Sequence, residues 1–238
     1  MKTEKLAMAK KDSGILIRHL KEEDVPKVKA LCKTVQSESG RDEFLVHLRR
    51  FLSSRHIITT PAFFFCLYLF FLKTDALPAL KSSTQSAIIC EAVRFFFFWQ
   101  KIKRVFGEGE DLKDPFLYYH KPLRFFLVAV VDGEIAGTVA VKETEGPDVA
   151  KLLRMFVHPS FRRRGIALRL IDASHDECRK LKYGSVSLRT HTTNEKALSC
   201  YEKAGYAIVG RRNFASVYPH SFDTIHFVKD LHGDDVRF

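Results

Sequence analysis

The sequence predicts an α/β fold for the C-terminal half of the chain, preceded by a hydrophobic helical insert. Two apolar runs in "FFLVAVVDGEIAGTVAVKE" flank Asp132-Gly133, a residue pair typical of tight hairpin turns. Apolar residues then recur at helical spacing between Ile166 and Cys178. A further strand pattern and a further helix pattern follow, which predicts a sheet with helices packed on it.

Each element of this fold can be placed from its own pattern. Ile15 to Leu20 alternates as a strand, and Asp24 can cap a following helix that reaches Val35. The elements after the hairpin are a strand in "VAKLLRMFV", a helix ended near Gly184, a strand in "SVSLRTH", a helix capped by Asn194 and ended by Gly205, and strands in "YAIVGR" and "TIHFVKD". We expect one domain over residues 15–238, interrupted by the insert, and a flexible basic tail over residues 1–14.

The charge of the chain favours anionic partners. Among 238 residues, 39 Lys and Arg face 28 Asp and Glu, a formal net charge of +11. Nucleic acid is not expected as a partner, because the arginines cluster at one helix start without aromatic residues interleaved on a strand. The five cysteines are scattered without the spacing of a zinc site, so no metal is expected either.

The insert, at about residues 51–100, is rich in phenylalanine and predicts membrane association. Residues 57–72 carry no charge over 16 positions, a length that spans about 24 Å as a helix, short of the ~30 Å hydrocarbon core. The second apolar run contains Glu91 and Arg94, which suit a membrane interface better than its centre. Core helices of a soluble protein remain the alternative.

The position of the insert constrains its topology. If Ile15 to Leu20 and Phe125 to Val131 belong to one sheet, both flanks of the insert lie on one side of the membrane. A hairpin or a re-entrant anchor satisfies this condition, and a single span does not. The flanks carry more Lys and Arg than the loop between the two runs, so we expect them in the cytosol, at an internal membrane such as the endoplasmic reticulum.

The stretch "HPSFRRRGIALRL" indicates an anion-binding site. A helix start presents unpaired backbone N–H groups and a partial positive charge, and Gly165 allows a ligand to approach them closely. Three arginines, Arg162 to Arg164, add charge at the same point. The pattern therefore suits a pyrophosphate, although a solvated basic helix end is the alternative.

Two motifs together carry a resemblance to a known family. "VHPSFRRRGIA", followed by a strand and by "NEKALSCYEKAGY", resembles the GNAT superfamily of N-acetyltransferases, whose signature R/Q-x-x-G-x-G/A is met by Arg162, Gly165 and Ala167. The resemblance covers Ile15 to about Val35 and Phe125 to Asp230. An insert after the first helix resembles the camello-like, membrane-bound branch. It implies the GNAT fold, a mixed and mainly antiparallel sheet flanked by helices.

The resemblance also implies which residues bind the cofactor, acetyl-CoA. The backbone of the strand before the signature is expected to hold the pantetheine arm, and the N–H groups of the signature turn are expected to hold the pyrophosphate. Asn194 matches the asparagine that contacts the cofactor arm. The implied cofactor-binding residues are Met155, Phe156, Val157, Arg162, Arg163, Arg164, Gly165, Ile166, Ala167, Leu168 and Asn194.

Catalytic and substrate roles are implied for four further residues. Tyr201 matches the tyrosine that protonates the departing thiolate, and a phenol keeps its proton at neutral pH. Many members have a glutamate base where this chain has Arg189, so His191, on the same strand face, is the candidate base through a water relay. His158, at the end of the preceding strand, is the alternative relay. Arg154 and Arg189 would suit a substrate carboxylate, although CoA phosphate or surface acids are equally compatible.

These residues predict an enzyme that transfers acetyl from acetyl-CoA to the amine of an amino-acid-like molecule, such as a cysteine conjugate or an aspartate-type amine. Two alternatives remain open. One is a protein lysine N-acetyltransferase, and the other is a non-catalytic CoA-binding membrane scaffold, which the missing glutamate motivates.

Overall fold

The computed structural model describes residues 14–52, 109–146, 148–217 and 220–232, together with scattered helical residues between 62 and 100. Two compact units divide the chain. The first contains the described residues up to 39, from 109 to 211 and from 225 onward, and the second contains the described residues between 40 and 100 and from 212 to 224. The candidate site lies within the first unit.

The helices and strands follow the order expected from the sequence, with two short helices in addition before the hairpin. The described helices are α1 (Val25–Leu52), α2 (Glu110–Lys113), α3 (Pro115–Tyr119), α4 (Ile166–Lys180) and α5 (Glu195–Lys203). The described strands are β1 (Ile15–His19), β2 (Phe125–Val131), β3 (Glu134–Glu143), β4 (Val149–Val157), β5 (Ser185–His191), β6 (Ala207–Val217) and β7 (His220–Asp230). Short 3-10 turns precede α1 and follow β4.

The described strands form one seven-stranded mixed sheet. Its order is β1-β2-β3-β4-β5-β7-β6. The pairs from β1 to β4 are antiparallel, whereas β4 and β5 are parallel. The α/β fold with a mixed, mainly antiparallel sheet is therefore confirmed.

Apolar side chains on the two faces of the sheet form two separate cores. One face packs against α4, where Leu170 and Ile171 are fully buried beside Val139 and Val141 of β3. The other face packs against α1 through Val28 and its neighbours, in contact with Phe126, Val128 and Ala140. Because side chains alternate along a strand, these cores fix the face on which every other residue of the sheet lies.

Gly137 permits α4 to pack closely on β3. A Cβ atom added at this glycine would lie 3.0 Å from the carbonyl oxygen of Phe156 and 3.1 Å from side-chain carbons of both Ile166 and Leu170. Because residue 137 has no side chain, the first turn of α4 can pack directly against the sheet, next to the end of β4.

The start of α1 differs from the sequence expectation. Asp24 does not cap the helix; its carboxylate accepts hydrogen bonds from Arg18 at 2.5 and 3.0 Å and from the Lys21 backbone N–H at 3.0 Å. These bonds, led by the one from Arg18, lower the pKa of Asp24 below its usual value. A 3-10 turn of residues 22–24 therefore leads into α1, and the aspartate ties that turn to β1.

The helix α1 continues to Leu52, well beyond Val35. In the parts of the chain that the structure describes, no helix combines the length and the apolar character needed to cross a membrane. Most of the insert predicted at residues 51–100, and residues 1–13 of the predicted tail, lie outside the described residues. Membrane association, the domain boundaries and the tail remain predictions.

Candidate active site

The parallel strands β4 and β5 separate beyond a short region of contact. Their pairs run from Val149–Ser185 to Lys151–Ser187. Both strands continue further, to Val157 and His191, with no additional pairing in this described part of the sheet. The facing edges therefore offer backbone N–H and C=O groups to a ligand lying in the gap.

A β-bulge at Arg154 bends β4 at the same place. Thr138 of β3 faces Phe156, yet Ala140 faces Leu153, so β4 contains one extra residue. Arg154 has a φ of 52°, in the left-handed region, and its carbonyl oxygen accepts a 2.9 Å hydrogen bond from the Thr138 hydroxyl. A bulge of this kind turns a strand away from its neighbour, which accounts for the opening beside β5.

The side chain of Arg154 is held by Asp111, the residue next to the start of α2. Nε and Nη2 of Arg154 donate to the two carboxylate oxygens of Asp111 at 2.8 and 2.7 Å. The Tyr119 hydroxyl donates to the same carboxylate at 2.8 Å. Both ion-pair side chains are largely buried, with 18% and 13% of their surface exposed. Arg154, predicted to bind substrate, thus directs two of its donors at a residue of its own chain.

The pKa values in this cluster follow from burial and pairing. Burial alone would raise the pKa of Asp111, but the hydrogen bonds and positive charge of Arg154 outweigh it, so the pKa lies below its usual value. Burial and the neighbouring Asp111 raise the pKa of Tyr119. At neutral pH the cluster therefore contains a charged ion pair and a protonated phenol.

The turn before α4 has the geometry of an anion site. Arg163 and Gly165 have φ values of 67° and 75°, so both are left-handed. Gly165 is the N-cap of the 15-residue helix α4, and because it lacks a side chain, none caps the first turn. A Cβ atom added at Gly165 would meet nothing within 4 Å, so the space in front of the helix start is open. The turn predicted to bind pyrophosphate is thus formed and accessible.

The three arginines of the turn occupy different environments. Arg162 donates to the carboxylate of Glu38 on α1 at 2.8 and 2.6 Å, and to the carbonyl oxygen of Val157 at 3.2 Å. The guanidinium of Arg164 lies 5.3 Å from the centre of the Phe161 ring, a cation–π geometry. Arg163 is exposed beside the helix start. Arg162 therefore ties the turn to α1, and the other two remain near the open space.

These residues fit acetyl-CoA, the cofactor that the resemblance implies. An elongated pantetheine arm suits the unpaired edge of β4 from Met155 to Val157, and a diphosphate suits the N–H groups of the first turn of α4. Ile166 is buried while Ala167 and Leu168 are partly exposed, so this turn offers mainly its backbone. No group of His, Cys, Asp and Glu among the described residues is arranged to hold a metal ion.

The remaining predicted residues lie on β5 and α5. The Asn194 side chain caps α5 by accepting from the Ala197 N–H at 3.2 Å, which confirms its capping role. Tyr201 of α5 is 7% exposed and packs its ring against Tyr206 and Phe227, each with ring centres 5.9 Å away. Burial raises the pKa of Tyr201, so its phenol is protonated at neutral pH.

His191 and Arg189 lie at the end of β5. Burial lowers the pKa of His191 to about 4, so its ring is uncharged at neutral pH and is a weak base. Arg189 is exposed. The cofactor, catalytic and substrate roles assigned to these residues from the sequence remain predictions.

Sequence reasoning missed the acidic partners of the arginines. Asp111 lies 43 residues before Arg154, and Glu38 lies 124 residues before Arg162. No local pattern marks either acid, because both belong to helices whose contact with the sheet arises only in the folded chain.

Strand alternation does predict which face of β4 carries Lys151, a residue that the sequence analysis did not single out.

Comparison with known proteins identifies the class of domain that this fold and this site define. Residues 92–206 match the family model described as the acetyltransferase (GNAT) family. The chain therefore contains a GNAT acetyltransferase domain, and the resemblance seen in the motifs is confirmed.

The curated relatives fit the predicted camello-like branch. The chain is 29% identical over 114 residues to probable N-acetyltransferase 14 of Xenopus tropicalis, which covers 48% of this chain and 55% of that protein. It is 33% identical over 119 residues to human N-acetylaspartate synthetase, which covers 48% of this chain and 39% of the relative. The chain thus spans about half the length, or less, of these curated relatives.

Solved structures show the same fold at low sequence identity. An acetyltransferase of the GNAT family from Staphylococcus aureus Mu50 aligns with a TM-score of 0.55 and 15% identity, over 91% of this chain and 99% of that one. A GNAT acetyltransferase from Streptococcus pneumoniae aligns with a TM-score of 0.51 and 13% identity, over 91% and 98% of the two chains. At these identities the likeness concerns the fold alone.

Proposed function

We propose that this protein is a membrane-bound N-acetyltransferase that transfers the acetyl group of acetyl-CoA to the amine of an amino-acid-like small molecule. The observation that carries the proposal is the gap between β4 and β5, which lies beside the uncapped first turn of α4. The names of the curated relatives, among them N-acetylaspartate synthetase, support an amino-acid-like acceptor. Protein lysines remain the second candidate acceptor.

Different residues of the chain would bind the cofactor and transfer protons in this reaction. When bound, acetyl-CoA supplies the acetyl group as a thioester. The N–H groups of the first turn of α4, with Arg163 and Arg164 nearby, would hold the diphosphate, and the edge of β4 would align the arm along the gap. The neutral amine would attack the thioester carbonyl directly. The uncharged ring of His191, a weak base, would pass the amine proton through water to solvent, and Tyr201 would donate a proton to the departing sulfur.

The proposal is tested by transfer from labelled acetyl-CoA in the detergent-solubilised full-length protein. We expect thiol release that depends on an added amine, and a labelled N-acetyl product when free amino acids and their conjugates are supplied. Labelling of lysine peptides but not of small amines would favour the second candidate. Coenzyme A binding without thiol release in the presence of any amine would favour a scaffold and contradict the proposal.

Replacing Tyr201 by phenylalanine is expected to lower kcat by roughly 10²- to 10⁴-fold, the usual contribution of a positioned general acid. The ring stays buried among Tyr206 and Phe227, so coenzyme A affinity is expected to stay within about twofold. Steady-state kinetics and calorimetric titration with coenzyme A measure the two quantities.

Tyr183→Phe is the matched control for Tyr201→Phe, since its hydroxyl bonds the Leu123 carbonyl oxygen at 2.7 Å, away from the gap. An equal fall of kcat in both variants would assign Tyr201 a packing role only.

The proposed anchor is the insert at about residues 51–100, as a hairpin or re-entrant segment in an internal membrane such as the endoplasmic reticulum, with the acetyltransferase domain facing the cytosol. Its charge-free run and the basic residues on its flanks support this arrangement.

We expect protease added to sealed microsomes to digest the C-terminal domain of the full-length protein. A lumenal marker protein that stays intact until detergent is added is the control for sealed vesicles. Protection of the C-terminal domain until that point would reverse the proposed orientation, and recovery of the protein in the carbonate-soluble fraction would contradict the anchor.

A further inference from the structure

Four basic side chains form a row across the sheet on the face that packs against α1. We call Lys142, Lys151, Arg189 and His226 the basic row. Lys142 of β3 lies two residues from Ala140, which belongs to the core under α1, and it is the direct register partner of Lys151 on β4. Lys142 and Lys151 therefore project from the same face.

The row continues across β5 and β7. Lys151 is in register with Ser187, and Arg189 lies two residues further along β5, so both share that face. His226 neighbours Phe227, whose side chain belongs to the core under α4, so His226 lies on the opposite face, with the row. Because β4, β5 and β7 are adjacent, the row crosses neighbouring strands without interruption.

The positive charges of the row act on one another. Burial, together with the charges of Lys142 and Arg189, lowers the pKa of Lys151. Burial, together with Arg189 and Lys151, lowers the pKa of His226 in the same way. These effects place the four residues of the row within electrostatic range of one another across four strands, in agreement with the register.

In the part of the chain that the structure describes, no carboxylate forms an ion pair with Lys151 or Arg189, and the carboxylate of Glu143, next to Lys142, is paired with Arg124. The nearby acid Asp111 is bonded to Arg154 and Tyr119. Lys142 has a polar contact, 3.5 Å from its Nζ to the Tyr118 hydroxyl, but that contact is uncharged. Lys142 and Lys151 are half-buried, and half-buried cations without counter-charge are unfavourable, so the arrangement indicates that an anion completes it.

The row also lies at the closed end of the gap between β4 and β5. Lys151 belongs to the last pair of the two strands, and Arg189 lies two residues past it, where they separate. From ordinary strand spacing and the rise per residue, the Cα atoms of Lys151 and Arg189 lie about 8 Å apart. Two anionic groups of one small molecule can therefore each meet a cation, whereas a single carboxylate leaves one cation unbalanced.

We propose that Lys151 and Arg189, with His226 and Lys142 beside them, bind the acceptor, and that the acceptor is an amine bearing two anionic groups. That the bound molecule is an acceptor rests on the proposed acetyl transfer, but binding of an anion at this site can be tested without turnover. According to this proposal, the basic row determines which acceptor is bound. Arg189, a member of the row, occupies the position where many members of the family have a glutamate. Arg154 then serves to hold the bulge, through Asp111, and not to bind the carboxylate.

The first test uses binding to the full-length, detergent-solubilised protein loaded with coenzyme A. Succinate, a dicarboxylate without an amine, is titrated by calorimetry beside propionate, its monocarboxylate counterpart. We expect succinate to bind at least tenfold more tightly than propionate. Arg189→Gln and Lys151→Gln are each expected to weaken succinate binding by roughly ten- to a hundredfold, the effect of removing one charge-assisted hydrogen bond.

Two controls keep the binding test specific. Lys203→Gln removes an exposed positive charge at the end of α5, away from the row, and is expected to leave succinate affinity unchanged. Coenzyme A affinity is expected to stay within twofold in all three variants. Equal affinity for succinate and propionate would overturn the proposal, as would a loss of coenzyme A affinity in Arg189→Gln, which would assign the row to the cofactor phosphates.

The second test uses turnover and separates this proposal from the proposed function. Aspartate, alanine and ethanolamine serve as acceptors with two, one and no carboxylates. We expect Arg189→Gln to raise the KM for aspartate tenfold or more while leaving that for ethanolamine unchanged. Turnover without preference for aspartate would overturn the anion site and leave the acetyltransferase intact. Tight succinate binding without turnover of any amine would support the site and contradict the enzyme.

Discussion

Replacing Gly165 by glutamate is expected to lower the affinity of the protein for coenzyme A by about a hundredfold. The new carboxylate would lie at the uncapped first turn of α4, where the turn is open and the N–H groups point outward. It would compete with the diphosphate for those groups and repel it. An anion at a helix start and its charged hydrogen bonds together contribute about 3 kcal/mol, which corresponds to this factor.

The matched control for this change is Gly133→Glu. Gly133 has a φ of 81°, and a Cβ atom added there also meets nothing within 4 Å, so the two substitutions impose similar backbone strain. Gly133 lies in the β2–β3 hairpin and not at a helix start. We expect the control to lower the thermal midpoint as much as Gly165→Glu and to retain full affinity in a calorimetric titration. An equal loss of affinity in both variants would count against an anion site at α4.

Replacing Asp111 by alanine is expected to destabilise the domain by roughly 3 to 5 kcal/mol, because it leaves the guanidinium of Arg154 buried without its partner. The two side chains are only 13% and 18% exposed, so solvent screens the lost attraction weakly. Urea unfolding of the domain, monitored by circular dichroism, measures the change. Coenzyme A affinity is expected to fall as well, since Arg154 forms the bulge that separates β4 from β5.

Two comparisons show whether the buried charge causes this loss. Glu110→Ala removes the adjacent carboxylate, whose ion pair with Lys113 is exposed, and is expected to change stability little. The double variant Asp111→Leu, Arg154→Met removes both charges and is expected to be more stable than Asp111→Ala. If the double variant is as unstable as Asp111→Ala, the lost packing of the two side chains, and not the unpaired buried charge of Arg154, causes the loss of stability.

The same ion pair gives stability a defined pH dependence. The pKa of Asp111 is lower in the folded protein than its usual value, so the folded state binds the proton less readily than the unfolded chain does. The stabilisation is therefore fully present above the usual carboxyl pKa of about 3.9 and is lost as pH falls through the lower folded value. The free energy of unfolding should fall below about pH 4 less steeply in Asp111→Ala than in the parent protein.

The sequence by itself determined most strands and helices of the domain and the open turn before α4. The hairpin at Asp132-Gly133, the helix capped by Asn194 and the open turn at Gly165 all depend on residues close together in the chain. Periodicity and turn chemistry report such local structure directly. The insert at about residues 51–100 is also a compositional feature, and its membrane role is still a prediction.

Only the tertiary structure decided what the arginines contact. Arg154 meets Asp111 and Arg162 meets Glu38 because α1 and α2 pack beside β4, and nothing within a short window of sequence encodes either approach. The basic row arises in the same way, from strands brought together out of chain order by the β4-β5-β7 arrangement. Local spacing fixes which way a side chain points along its own strand, but its neighbours depend on which strands pair.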